Sequence, residues 1–167
     1  MPEISLAAVW AGPPLDDIRD KSKDDAKVGA LVARLAARRT PLEEAQKAIT
    51  EYLVASVDKA TAGKLLFAGL FDALHAQRSL VMNGLERVTR KQREAAEKIR
   101  ADTLALQALQ GASAPDQTKI DELGNQLVWQ TRIFEDRRQV VKFVCEVPTA
   151  IDQQLFALGR TIQQEME

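Results

Sequence analysis

Two apolar rows run at heptad spacing through the second half of the chain, and one short turn divides them. Before the turn, one row is Phe71, Arg78, Leu85, Gln92, Ile99 and Leu106, and the other is Leu74, Val81, Val88, Ala95, Asp102 and Leu109. After it, the rows resume as Ile120, Leu127, Phe134, Val141, Pro148, Leu155 and Ile162, with Leu123, Gln130, Arg137, Val144, Ile151 and Leu158 beside them. A repeat of this kind puts every listed position on one helical face. The turn is GASAPD, 111–116, where Gly111 can close one helix and Pro115 can open the next. Two long helices joined by so short a loop must lie antiparallel. Folding about the loop sets Leu106 near Asp121, Gln92 near Glu135 and Leu74 near Gln153.

The apolar stripe varies in width. From 140 to 158 it is broad, with Val140, Val141, Phe143, Val144, Val147, Ile151, Leu155, Phe156 and Leu158, and the facing stretch from Leu65 to Val81 is equally rich. Between 86 and 135 it narrows and charges crowd its flanks. A broad stripe needs several neighbours and a narrow one needs a single partner. The neighbours must come from the N-terminal part. The expected fold is therefore all-α: a long antiparallel helical hairpin with a coiled-coil-like stalk at 86–135. Two N-terminal helices pack on its base, 15–85 and 136–167, as a four-helix bundle. Residues 1–14 read as an arm. Composition agrees with helices: aromatic residues are only 5% of the 167.

Local signals place the N-terminal helices. Pro13-Pro14 followed by Asp16 and Asp17 reads as the start of the first, which ends near Arg38-Arg39. Thr40, Pro41 and Glu43 read as a capping box opening the second, with a break expected within SVDKATAG, 56–63. In KFVCEVPTAIDQQLFALG, 142–159, the helical spacing of Lys142 and Glu146 outweighs the β-branched run. The expectation is one helix passing through Pro148 with a kink, and a buried, inert Cys145.

Chemistry is sparse. One cysteine permits no internal disulfide and no multi-cysteine metal site. His75 is the single histidine, with Asp72 three residues before it. A di-metal bundle site needs a second such element, so a helix-surface or packed histidine is the better reading, and a metal-dependent enzyme around Asp72 and His75 is the weaker one. No nucleophile motif or Gly-rich phosphate loop occurs, and neither catalytic residues, nor a cofactor, nor a metal is expected. No apolar run reaches the ~18 residues of a membrane span. A net charge of −1 gives no global pull toward nucleic acid or anionic lipid.

Two surfaces stand out. A basic band on the stalk includes Arg87, Arg90, Lys91, Arg93, Arg137 and Arg138, with acids interspersed among them. That mixture fits a solvated coiled-coil surface better than a nucleic-acid interface. Leu104, Trp129 and Ile133 point away from the seam or sit at its edge and form a candidate partner or dimer surface. The arrangement resembles, in architecture alone, helical-hairpin adaptors and the stalk or chaperone proteins of secretion apparatus. The expected function is that of a non-enzymatic, cytoplasmic interaction or scaffold protein that contacts another protein or a second copy of itself, without membrane insertion. The alternative is a regulatory module that binds nucleic acid through the basic band.

Overall fold

The computed structural model describes residues 4–18 and 20–167. Six α-helices follow in order: α1 (Leu6–Val9), α2 (Ala26–Ala36), α3 (Leu42–Val54), α4 (Lys59–Gln110), α5 (Gln117–Val144) and α6 (Val147–Met166), with a 3-10 turn at Lys21–Lys23. No strand occurs among the described residues, and the all-α hairpin-and-bundle architecture is the one the heptad rows imply. The chain divides into two compact units. One comprises Met1–Leu80 with Pro148–Glu167, and the other is Val81–Val147.

The first unit is a four-helix bundle of α2, α3, the N-terminal part of α4, and α6. Its core is aliphatic: Val28 and Leu35 of α2, Ile49 and Leu53 of α3, Leu66, Leu70 and Leu74 of α4, and Leu155, Leu158 and Ile162 of α6 are all buried. The last carbonyls of α2 have no partner within the helix. Three side chains take them: Thr40 Oγ1 donates to Arg34 O at 2.8 Å, Gln154 Nε2 to Leu35 O at 2.7 Å and Gln77 Nε2 to Ala36 O at 3.3 Å. α3 is tied to α6 by Gln46 Nε2 donating to Thr161 Oγ1 at 3.2 Å and by the Thr50 hydroxyl donating to Glu165 Oε1 at 2.9 Å.

The N-terminal segment contributes to that core. Val9 and Trp10 are buried, and the Trp10 ring stacks on Phe67 with centroids 4.2 Å apart. Its indole N–H donates to Pro13 O at 2.8 Å, which satisfies the one polar group that burial would orphan. Residues 1–3 of the expected arm lie outside the described residues.

Several local readings are corrected. The first long helix does not begin at Asp16 and Asp17. Leu15 and Ile18 are buried within turns, and α2 starts after Asp25, whose carboxylate accepts from the N–H groups of Lys27 at 2.9 Å and Val28 at 3.1 Å. The charged stretch between offers little helix propensity, and Asp25 is the acid that directly precedes an uninterrupted apolar period. The Thr40 capping box does not form either: Thr40 closes α2, and α3 begins at Leu42 with Pro41 in the capping position and no side-chain cap. The chain does break after α3, at residues 55–58, which overlaps the first part of the expected stretch. Asp58 then opens α4, accepting from Thr61 N at 3.1 Å and from its hydroxyl at 2.6 Å.

The second unit is a two-helix hairpin of the α4 residues from Val81 onward and α5. Asp116 caps α5 through Lys119 N at 3.2 Å. Its register is the one expected from folding about the loop: Gln92 Nε2 donates to Phe134 O at 3.1 Å, one residue from the Glu135 position read from sequence.

The stretch around Cys145 departs most from expectation. Instead of a kinked helix, α5 ends at Val144 and α6 begins at Val147, which puts Pro148 in the first turn of a new helix. There its missing N–H leaves nothing unpaired. Cys145 lies in the intervening turn and is exposed, which corrects the expected burial. A thiol reagent should therefore label Cys145 in the native protein at nearly the rate seen in denaturant, and strong native protection would contradict this placement.

One close approach in the bundle yields a paired test. A Cβ on Gly159 would stand 2.9 Å from Phe67 Cε2 and 3.1 Å from Val9 O, whereas one on Gly29 would meet nothing within 4 Å. Gly159→Ala should lower stability by about 1–3 kcal/mol through overpacking. Gly29→Ala should raise it by about 0.5–1 kcal/mol through helix propensity. Denaturant melts of both variants would check the opposite signs.

Candidate functional site: a valine groove in the hairpin

A helix that packs on one partner can bury only one stripe, and the hairpin unit shows this. α5 has no buried residue, and every buried residue of α4 lies at or before Arg78. The heptad positions Leu85, Gln92, Ile99, Leu106 and Leu109 of α4, and Ile120, Leu123, Leu127, Phe134, Val141 and Val144 of α5, are half-buried and form the seam. Two row positions fail to join it. Val88 and Arg137 are both exposed.

Those two failures are one event. The antiparallel register brings the Val88 and Arg137 layers close together along the hairpin. A guanidinium resists entering an apolar seam without a partner, so Arg137 turns its head to solvent and leaves Val88 uncovered. The result is a groove of about 900 Å³ between the two helices. Its apolar lining is Val81, Gly84, Leu85 and Val88 from α4, and Val140, Val141 and Val144 from α5. Val140 is 61% exposed. Arg87, Arg90, Lys91 and Arg137 stand around it with Glu94 and Asp136.

This geometry divides the basic band. Arg87, Arg90, Lys91 and Arg137 gather at the groove. Arg93 borders an adjoining depression with Met82, Glu86 and Thr89, which Arg90 and Leu85 also line, and Arg138 lies 3.4 Å from Glu135 Oε1 beside Gln139 and Lys142. Arg90 thus joins Arg93 to the groove cations, and Arg138 lies apart in its ion pair.

The candidate partner residues divide as well. Leu104, Trp129 and Ile133 are all exposed, at 61%, 63% and 47%. Ile133 is seven residues before Val140 and Trp129 four before Ile133, so these three share one face of α5 and prolong that wall of the groove. Arg132 lies over the Trp129 ring, 5.9 Å from its centroid. Leu104 is sixteen residues from Val88, which places it about 160° around α4, away from the groove. The valines themselves were legible only as part of the broad stripe; that they stay uncovered depends on where the bundle ends.

His75 stacks on Phe71 at 5.7 Å in the bundle unit, and the buried Arg78 nearby holds Asp152 Oδ1 at 2.9 Å through Nε. Among the described residues, no group of three or more His, Cys, Asp or Glu side chains is placed to hold a metal ion. No described helix is long and apolar enough to cross a membrane. No protein-family model, curated protein or solved structure matches the chain.

Beyond the groove the seam holds a polar layer. Lys98 donates to Asp102 Oδ2 at 2.9 Å, and Gln130 donates to the same carboxylate across the hairpin. Hydrogen bonds from Lys98 and then Gln130 hold the Asp102 pKa below the usual carboxylate range. A lowered native pKa means that the layer's contribution is complete above the unfolded-state value and is lost as pH falls through the native one. The stability difference between the wild-type chain and Asp102→Asn should therefore shrink on acidification, as thermal melts across the acid range would show.

Proposed function

We propose that the chain is a non-enzymatic helical-hairpin adaptor that acts through protein–protein contacts, with the valine groove of the hairpin unit as its binding face. The observation that carries this reading is the uncovered apolar surface beside the hairpin seam. Val88 occupies a seam position that an apolar partner normally covers, and Val140 lies beside the seam residue Val141, yet both stand exposed around a groove of about 900 Å³. Contiguous apolar surface rimmed by polar groups is characteristic of interaction sites. The partner is another protein or a second copy of the chain. A reducing, cytoplasmic setting suits the unpaired, exposed Cys145.

The nucleic-acid alternative draws on the same cations and is weaker. The groove that gathers four of the six basic residues is lined by aliphatic side chains, and Arg138 is spent in an ion pair with Glu135. Phosphate binding gains nothing from such a lining, and base stacking would find one exposed aromatic side chain on that wall, Trp129, where stacking sites use successive platforms.

A photo-cross-linking amino acid placed at position 88 or 140 tests the reading in cells producing the chain. Discrete protein adducts are expected from both positions and not from position 122, where exposed Glu122 lies outside the groove. Nuclease-sensitive adducts, or yields no greater than at position 122, would overturn it.

A further inference from the structure

The groove has a direction, a length and a charge, and together they specify an occupant. Its apolar floor runs between two antiparallel helices, and its α5 wall continues through Ile133 to Trp129. From Trp129 to Val144 that wall extends for about 22 Å at 1.5 Å per residue, roughly four helical turns. A groove of this form between two helices is filled by a third helix that completes a local three-helix layer. An extended strand would find no sheet edge there, since the backbone groups of both walls are spent within their own helices.

The rim supplies the charge. Arg87, Arg90, Lys91 and Arg137 form no ion pair among the described residues. Against Glu94 and Asp136 they leave an excess of two positive charges at the groove: four cations minus two carboxylates. A second copy of the chain would set this rim against itself, because a two-fold contact presents the same patch twice. Like charges would then face each other across the contact.

We propose that the groove receives an amphipathic α-helix from a partner protein, with apolar residues at i, i+3 or i+4 and i+7 and with acidic residues on its flanks. The assignment rests on the adaptor reading above and names the chemistry of its partner. The apolar stripe seats against Val81, Leu85, Val88, Val140 and Val144. The acidic flanks meet Arg87, Arg90, Lys91 and Arg137, while Trp129 covers the far end of the bound helix.

The test uses the full chain and two stapled helical peptides of about sixteen residues, matched to the wall length. Both carry the same leucine face, one with glutamate flanks and the other with lysine flanks. Fluorescence anisotropy should show the glutamate peptide binding about tenfold more tightly, a difference that narrows as salt screens the rim. Its binding should shift Trp129 emission to the blue, whereas the buried Trp10 reports little change. Val88→Asp with Val140→Asp should abolish binding. Reversing the rim with Arg87→Glu, Arg90→Glu, Lys91→Glu and Arg137→Glu should transfer the preference to the lysine peptide, a result that general loss of folding could not produce. Equal affinity for the two peptides, or a preference untouched by rim reversal, would overturn the acidic-helix assignment while groove cross-links to protein kept the adaptor reading intact. Displacement of the glutamate peptide by a single-stranded oligonucleotide or an anionic vesicle would overturn the assignment in favour of those ligands. A concentration-dependent dimer that buries Val140 would assign the groove to a second copy instead.

Discussion

The constraint on which the structure depends is the continuity of α4. One helix of 52 residues serves two environments. Up to Leu80 it belongs to a four-helix unit and buries leucine and phenylalanine on several sides; from Val81 it belongs to a unit that holds only α5 besides itself. A helix in a bundle can be apolar over a wide arc, whereas a helix in a hairpin can bury only a narrow seam. The wide arc does not stop where the bundle does. It carries on through Val81 and Leu85, and on the returning helix α5 through Val140, Phe143 and Val144. Apolar surface left over from this mismatch is what stays exposed along the hairpin.

How much of this was legible in sequence follows from the range of each signal. The hairpin, its loop and its register rest on repeated spacing over many residues, and a repeat averages out local exceptions. Hence Gln92 meets Phe134 almost where folding about GASAPD puts it. The N-terminal helices rested on single capping motifs, and there the reading failed. Thr40 lies at the end of α2, where its hydroxyl donates to the Arg34 carbonyl, and it makes no side-chain cap on α3. A capping motif states which hydrogen bonds a residue can make, and tertiary packing decides which one it does make.

Cys145 illustrates a different limit. Its neighbours Val141, Val144 and Val147 suggest burial, and in a continuous wide-faced helix they would supply it. Burial depends on what lies opposite, and the helix ends at Val144 while the bundle unit begins only at Pro148. The same missing information hid the groove. Composition showed a broad stripe at 140–158, but not that Val140 would stand 61% exposed while Ile151 and Leu155 are buried. The exposed thiol follows from where α5 ends, and no capping motif in the sequence marks that end.

The polar members of the seam explain why the hairpin does not slide to cover its own valines. A uniform apolar seam would tolerate shifts by a heptad, and one such shift could trade the uncovered layer for another. Gln92 and Gln130 prevent this. Gln92 is bonded to the Phe134 carbonyl and Gln130 to Asp102, while the Oε1 atom of each is buried without a hydrogen-bond partner. A buried unsatisfied oxygen costs about 1–3 kcal/mol, so these layers weaken the hairpin even in the native register. Sliding would break the two bonds they do make and bury the same amides with none. The seam therefore gives up stability for a fixed register, a use of buried polar side chains well attested in coiled coils. Fixing the register holds Arg137 beside Val88, and that pairing keeps the groove open.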